Sequence, residues 1–323
     1  MNPLLSTLRP IWEHPSVVFV DSRAIEEAAS RIAGEEFPVP SWREPVFPPE
    51  DNETFVNFIG VGNSINFAFT DFDTLENFTV EYNGLWRGAF AMWACLKRAL
   101  DRGTDITDAT VLSRLTFKRA TEIFAGRARI PMLQERWEIL REVGHTLRAN
   151  YRGSFWNVLS ESGFSAFGDA GVVELLCRDF PSFRDWSMHM PTGTTLQFAK
   201  RAQLFGMMYS GRALSSRGLP VLNDFPDLGP IADYSVPIAL RALNILKYSP
   251  EVEADVQFQR KLGRDSLAEQ EIRAQTINAQ IQLLDRLNYI RSSRITFLNL
   301  DYKLWMLGRS TNDPHHLTYT TAY

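Results

Sequence analysis

Apolar positions recur at spacings of three and four along most of the chain, and they set the predicted fold. Leu133, Trp137, Leu140, Leu147 and Tyr151 mark one face of an amphipathic helix over 131–151. Ile272, Ile277, Ile281 and Leu284 form the stripe of a longer helix that opens at the capping box Ser266-Leu267-Ala268-Glu269 and runs to about Arg291. Further helices are expected over 22–33 behind an Asp21 or Ser22 cap, over 85–101, in two short pieces capped at Thr107-Asp108 and at Thr116, and over 154–160, 170–177 and 197–209. Another starts at Ser249-Pro250, and a last one covers 295–306. The N-terminal part reads differently. Val17–Val20 is a short extended piece, and 36–52 is a loop rich in Pro, Glu and Trp. The runs 55–61, 65–69 and 78–82 are strand-like in their β-branched and aromatic content, the last closed by Asn83-Gly84. The pattern predicts a mostly α fold with a small antiparallel sheet near the N-terminus. The organisation expected is one catalytic unit over 1–323, with the sheet in 1–84 and a helical body in 85–323.

Composition narrows the partners. The formal net charge is -4 and the sequence pI about 5.8, with no long Lys/Arg block. A surface gripping a nucleic-acid backbone carries a basic excess, so no stable nucleic-acid complex is expected. Only two cysteines are present, Cys95 and Cys177, and no Cys/His spacing resembles a zinc site. Pro3, Arg9, Pro10 and Glu13 interrupt the N-terminal apolar residues, so no signal peptide is read there, and no run is long enough to cross a bilayer. The reading is a cytoplasmic protein with no membrane partner and no metal.

The segment Ile231-Ala232-Asp233-Tyr234-Ser235-Val236-Pro237 carries the strongest chemical signal. A proline is favoured in the first turn of a helix, and an apolar run follows it. Asp233 therefore sits at or just before a helix N-terminus, where free N–H groups and the macrodipole favour an ionised carboxylate. Such a group is either a cap or a stabiliser of a sugar cation. Lys200-Arg201-Ala202-Gln203 places two cations and an amide inside an apolar helix, where they need partners: surface water, a phosphate, or a planar ligand edge. Asn66 lies in an apolar run beside Phe67, and Asp301 lies among Leu300, Tyr302, Leu304 and Trp305. Each suits either a structural hydrogen bond or the edge of a base. Glu271 and Arg273 are two apart on a helix and face different sides, which favours structural roles. The tail from His315 to Tyr323 is aromatic and poor in charge, so it is expected to dock on the body.

These segments, in their order along nearly the whole chain, resemble the queuosine salvage family, the queuosine 5′-phosphate N-glycosylases/hydrolases. The resemblance runs through Ser16–Asp21, Asn57, Ile65-Asn66-Phe67, Gly84-Leu85-Trp86 and Asp105-Ile106-Thr107. It continues through Ile130–Arg136, Tyr151–Phe155, Phe180–Asp185, Lys200–Gln203, Ala232-Asp233-Tyr234, Glu271–Ala274, Leu300-Asp301-Tyr302 and Leu304-Trp305, to the closing Tyr323. It implies a helical relative of the helix-hairpin-helix DNA glycosylases that releases queuine for tRNA modification without a cofactor. It puts the catalytic acid at Asp233 and substrate contacts at Asn66, Phe67, Trp86, Lys200, Arg201, Gln203, Tyr234, Asp301 and Trp305. Three departures touch substrate contact: Gly62-Asn63-Ser64 where the family often has an acid, Met306 where it often has Asp, and an end in Thr320-Thr321-Ala322-Tyr323. The competing expectations are a base-excision enzyme acting on DNA, and a queuine or nucleotide carrier without catalysis.

Overall fold

The computed structural model describes residues 2–323. Among these it holds fourteen α-helices and eight short strands, the strands joined only in pairs. The chain divides into two compact units. The first comprises Met1–Pro40, Asp185–Lys200 and Pro226–Tyr319, and the second Ser41–Arg184, Arg201–Phe225 and Thr320–Tyr323.

In the first unit the long helix Leu267–Ile290 is the organising element. Ser266 caps it, accepting from Glu269 N. Its buried positions include Glu269, Gln270, Glu271, Arg273, Gln275 and Gln280 beside the apolar ones, so it binds its neighbours through polar side chains as well as through packing. The Glu271 carboxylate accepts from the backbone N–H groups of Ser16, Val17 and Val18, which anchors the strand Val18–Val20. That strand pairs antiparallel with Leu246–Tyr248, Val18 facing Tyr248. Asp21 caps the helix Ser22–Ile32 as expected. Gln280 Nε2 donates to Ile231 O, fixing the chain just ahead of Asp233. The helix Ser235–Ala242 packs on the helix Phe297–Ser310, and Gly308 is what permits it. A Cβ on Gly308 would lie 2.0 Å from the Ser235 carbonyl oxygen. Val236, Leu240, Ile272, Leu283, Leu300 and Leu304 build the core around this pair. The hairpin Trp186–His189/Thr194–Gln197 occupies residues where no strand was expected, and the helix expected from Gln197 starts at Lys200.

The second unit corrects two expected strands. Residues 55–61 belong to the helix Glu53–Ser64, capped by Asn52 and buried from Phe55 through Ser64. An element buried on all sides shows no amphipathic period, so its apolar run cannot distinguish helix from strand. Its glycines admit other side chains: a Cβ on Gly62 would sit 1.7 Å from the Trp93 ring and one on Gly60 2.3 Å from Phe155. Residues 65–69 are irregular because their backbone bonds elsewhere. The buried Arg136 guanidinium donates to the carbonyls of Ile65, Phe67 and Ala68, and Ala68 N donates to Tyr323 O. The antiparallel piece near the N-terminus is the hairpin Thr79–Glu81/Leu85–Arg87 about Asn83 and Gly84, both at positive φ. Leu85–Arg87 is thus strand, and the helix expected from Leu85 starts at Ala89. The expected short helices appear at Ala109–Ser113 and Phe117–Ile123 with Asp108 and Thr116 as caps, and the amphipathic one at Leu133–Asn150. Arg212, fully buried, holds the 36–52 loop by donating to the carbonyls of Ser41, Trp42 and Pro48 and to the Asp51 carboxylate. Cys95 and Cys177 are buried free thiols. Among the described residues no helix is long and apolar enough to cross a membrane.

Candidate active site

Asp233 lies just ahead of the helix Ser235–Ala242, with Pro237 in the helix's first turn. Its Oδ1 accepts from Ser235 N at 2.8 Å and from Val236 N at 3.0 Å. Its Oδ2 makes no hydrogen bond among the described residues, and the side chain is half-buried. One oxygen is therefore committed to the cap and the other is open. The two readings of this residue, cap and reacting group, fit the two oxygens separately.

Asp301 faces the same centre from the helix Phe297–Ser310. The residue is 8% exposed, and its Oδ1 is buried with no hydrogen-bond partner. Burial raises its carboxyl well above the usual aspartate range, the negative charge of Asp233 raises it further, and the Lys200 cation pulls it back. A buried carboxyl without a partner is costly unless a ligand supplies one. Asp301→Asn should therefore stabilise the folded chain near neutrality. An unfolded aspartate titrates near about 4. Between that value and the higher folded one, the folded chain holds a proton that the unfolded chain has lost. Stability then falls as pH rises across that window, and the amide removes this dependence. Melting curves at about pH 4 and pH 7.5 test it; a variant that melts below the parent at the higher pH contradicts it.

Lys200 starts the helix Lys200–Leu214 and is 4% exposed. Its backbone N–H donates to Asp185 Oδ2 at 3.1 Å, and Ala199 before it adopts a left-handed φ of 45°. Asp185 in turn binds Arg273 through two bonds, Nη1–Oδ1 at 2.9 Å and Nη2–Oδ2 at 2.5 Å. The Arg273 guanidinium lies 3.8 Å from the centre of the Phe198 ring and 3.5 Å from Glu269 Oε1. This buried cluster seats the turn that delivers Lys200. It also bears out the structural reading of Glu271 and Arg273, which face opposite partners.

Tyr234 is half-buried, its hydroxyl donating to Thr318 O at 3.3 Å. Its ring meets those of His315 and His316 at 4.7 and 5.2 Å. Trp305 stacks on Tyr302 at 6.1 Å, with the Arg309 guanidinium 4.5 Å from its ring. The charge of Asp233 acts on His315, Arg309 and Asp301 alike. Sequence reasoning picked out neither histidine as part of this centre. The only signal was an odd tail, and that tail is docked, Leu317–Thr318 pairing with Lys261–Leu262.

The other candidates lie in the second unit. Asn66 donates to Asn63 Oδ1 at 3.3 Å. Phe67 lies beneath the guanidinium groups of Arg136 and Arg201 at 4.2 and 5.4 Å. Trp86 donates to Tyr82 O at 2.7 Å and stacks on Phe90. Arg201 donates to the carbonyls of Ser64 and Ser182. Gln203 is buried. Among the described residues no three His, Cys, Asp or Glu side chains gather as a metal ion would require.

The sequence profile of the family described as queuosine salvage protein matches residues 46–323. The chain belongs to the queuosine salvage family. Two relatives align over nearly the whole of both chains. A protein of Sphaerobacter thermophilus named queuosine 5′-phosphate N-glycosylase/hydrolase is 32% identical over 324 residues, covering 99% of this chain and 97% of its own. The Mus musculus protein of the same name is 29% identical over 344 residues, with all of both chains covered. One from Dictyostelium discoideum is 32% identical over 276 residues, 84% of this chain and 79% of its own. The family shares the region that holds Asp233, Lys200 and Asp301.

Proposed function

We propose that this chain hydrolyses the N-glycosidic bond of queuosine 5′-phosphate and so releases queuine for reuse in tRNA modification. The observation that carries the reading is the end-to-end match to a relative bearing that activity in its name. The chemistry available around Asp233 supports it. Breaking a ribosyl C–N bond leaves positive charge on the sugar and the bonding electron pair on the base. A 7-deazaguanine has carbon in place of N7, so the usual protonation site is missing and stabilisation of the sugar cation matters more. The open Oδ2 of Asp233 opposes that charge as it develops. Its position is held by the two helix N–H bonds on Oδ1, so little reorganisation accompanies the reaction.

Asp301 holds the base edge: a carboxylate accepts the ring and exocyclic N–H donors of a guanine-like ring, which would give its unpartnered oxygen its bond. Tyr234 and Trp305 supply aromatic walls. The 5′-phosphate is assigned to Lys200, whose charge reaches Asp301 in this centre. Grip on the phosphate supplies binding energy remote from the reacting bond. For Asn66, Phe67, Trp86 and Gln203 a substrate contact rests on the family resemblance. Hydrolysis balances with water alone, so no metal or organic cofactor is assigned.

The helical body is taken to be built on a helix-hairpin-helix DNA-glycosylase-like core, as the resemblance implies, and 1–323 to act as one catalytic unit. The cytoplasm is its place, where buried free thiols such as Cys95 and Cys177 stay reduced. No stable nucleic-acid complex is expected. Purified chain incubated with queuosine 5′-phosphate should yield queuine and ribose 5-phosphate in equal amounts by chromatography. Substrate bound but recovered intact would leave a carrier instead, and release of bases from duplex DNA would leave a base-excision enzyme.

A further inference from the structure

The half-buried His315 ring lies against Tyr234, the residue that follows Asp233, at 4.7 Å between ring centres. Its Nδ1 is 2.7 Å from the carbonyl oxygen of His316. A carbonyl only accepts, so Nδ1 carries the proton and Nε2 of the neutral ring is the basic nitrogen. The backbone around it is pinned, because Leu317–Thr318 pairs with Lys261–Leu262 and the Tyr234 hydroxyl holds Thr318 O. The ring is thus fixed in place and in tautomer against Tyr234, within reach of the Asp233 charge.

We propose that His315 is a second catalytic residue, its Nε2 accepting the proton of the attacking water while Asp233 keeps its charge. This rests on the hydrolase reading above. The C1′–N bond breaks and its electrons leave on the base, whose nitrogen takes a proton from solvent. The water oxygen bonds to C1′, and its proton passes to His315 Nε2 and then to solvent. Separating the two tasks has a physical reason. A carboxylate that took the water proton would lose the charge that stabilises the cation, at the moment the cation needs it. The charged groups around the ring fit this task. Burial holds the imidazole below its usual range, opposed by the Asp233 charge and the His316 carbonyl, so it is neutral and able to accept. His316 is held lower still by burial, by His315 and by the cations Arg273 and Arg241, which leaves His315 as the basic ring.

The test compares water with azide, a nucleophile that needs no deprotonation. His315→Gln and His315→Ala should lose hydrolysis of queuosine 5′-phosphate by about 100-fold or more. Azide should restore base release in both, with ribosyl azide 5-phosphate as product. On the unaltered chain, the water reaction should fall off on the acid side, below about pH 6.5, and the azide reaction should lack that limb. Variants hydrolysing at the parent rate would overturn the proposal. So would folded variants that azide does not rescue, or an acid limb common to both nucleophiles in the parent. A parent chain that cleaves nothing would instead sink the hydrolase reading itself.

Discussion

Asp233→Asn is expected to lower kcat on queuosine 5′-phosphate by about 1,000-fold or more, with the melting temperature nearly unchanged. The asparagine oxygen can still accept from Ser235 N and Val236 N, so the helix start survives. What disappears is the negative charge at the second oxygen. Removing one fixed group that opposes transition-state charge costs about 2.7–4 kcal/mol, or 10²–10³ in rate. Loss of a full charge beside a cation belongs at or beyond the top of that range, since each 1.36 kcal/mol is tenfold. KM should move little, because the ground-state ribose carries no charge for Asp233 to meet. Steady-state kinetics with thermal melts of both proteins decide the matter. A kcat within tenfold of the parent would reduce Asp233 to its capping role.

Local chemistry was legible in the sequence wherever one residue decides an element's start. Asp21, Asp108, Thr116, Ser249 and Ser266 all cap the helices expected of them. Asp233 was placed at its helix start by the same logic. The failures share a cause: partners far away in the chain. Residues 55–61 look like a strand because burial on every side erases the helical period. Residues 65–69 look like a strand until Arg136, about 70 positions on, takes their carbonyls. Nothing local to Gly308 says that the Ser235 carbonyl will rest on it. The site was legible in part for the same reason. Asp233, Lys200 and Asp301 stand out as charges in apolar runs. His315 reaches the centre only because its segment folds back beside Tyr234, and Asp185 matters through its bonds to Arg273 and to Lys200 N. A family resemblance can point at such positions, but it cannot supply the contact that gives them a role.

Asp185→Ala carries the largest expected loss of stability. Asp185 and Arg273 are 4% and 2% exposed, and the pair is bidentate. Removing one partner leaves a buried guanidinium short of its counter-charge, which costs about 3–5 kcal/mol. Glu269, 3.5 Å from Arg273 Nη1, offsets part of that and favours the lower end of the range. The variant also loses the acceptor for Lys200 N, just where Ala199 holds a left-handed backbone. That conformation is costly for a residue with a side chain and persists only while its surroundings impose it. Lys200 should then leave its seat, and KM for the 5′-phosphate substrate should rise along with the loss of stability. Replacing both partners, Asp185→Leu with Arg273→Met, separates the two effects. The apolar pair should recover most of the stability, since buried ion pairs exchange for packed apolar groups at little net cost. It should not recover KM, because leucine offers Lys200 N no acceptor. Urea denaturation and kinetics on the single and double variants measure both quantities. A double variant that regains stability and KM together would show that Asp185 holds the fold without holding Lys200.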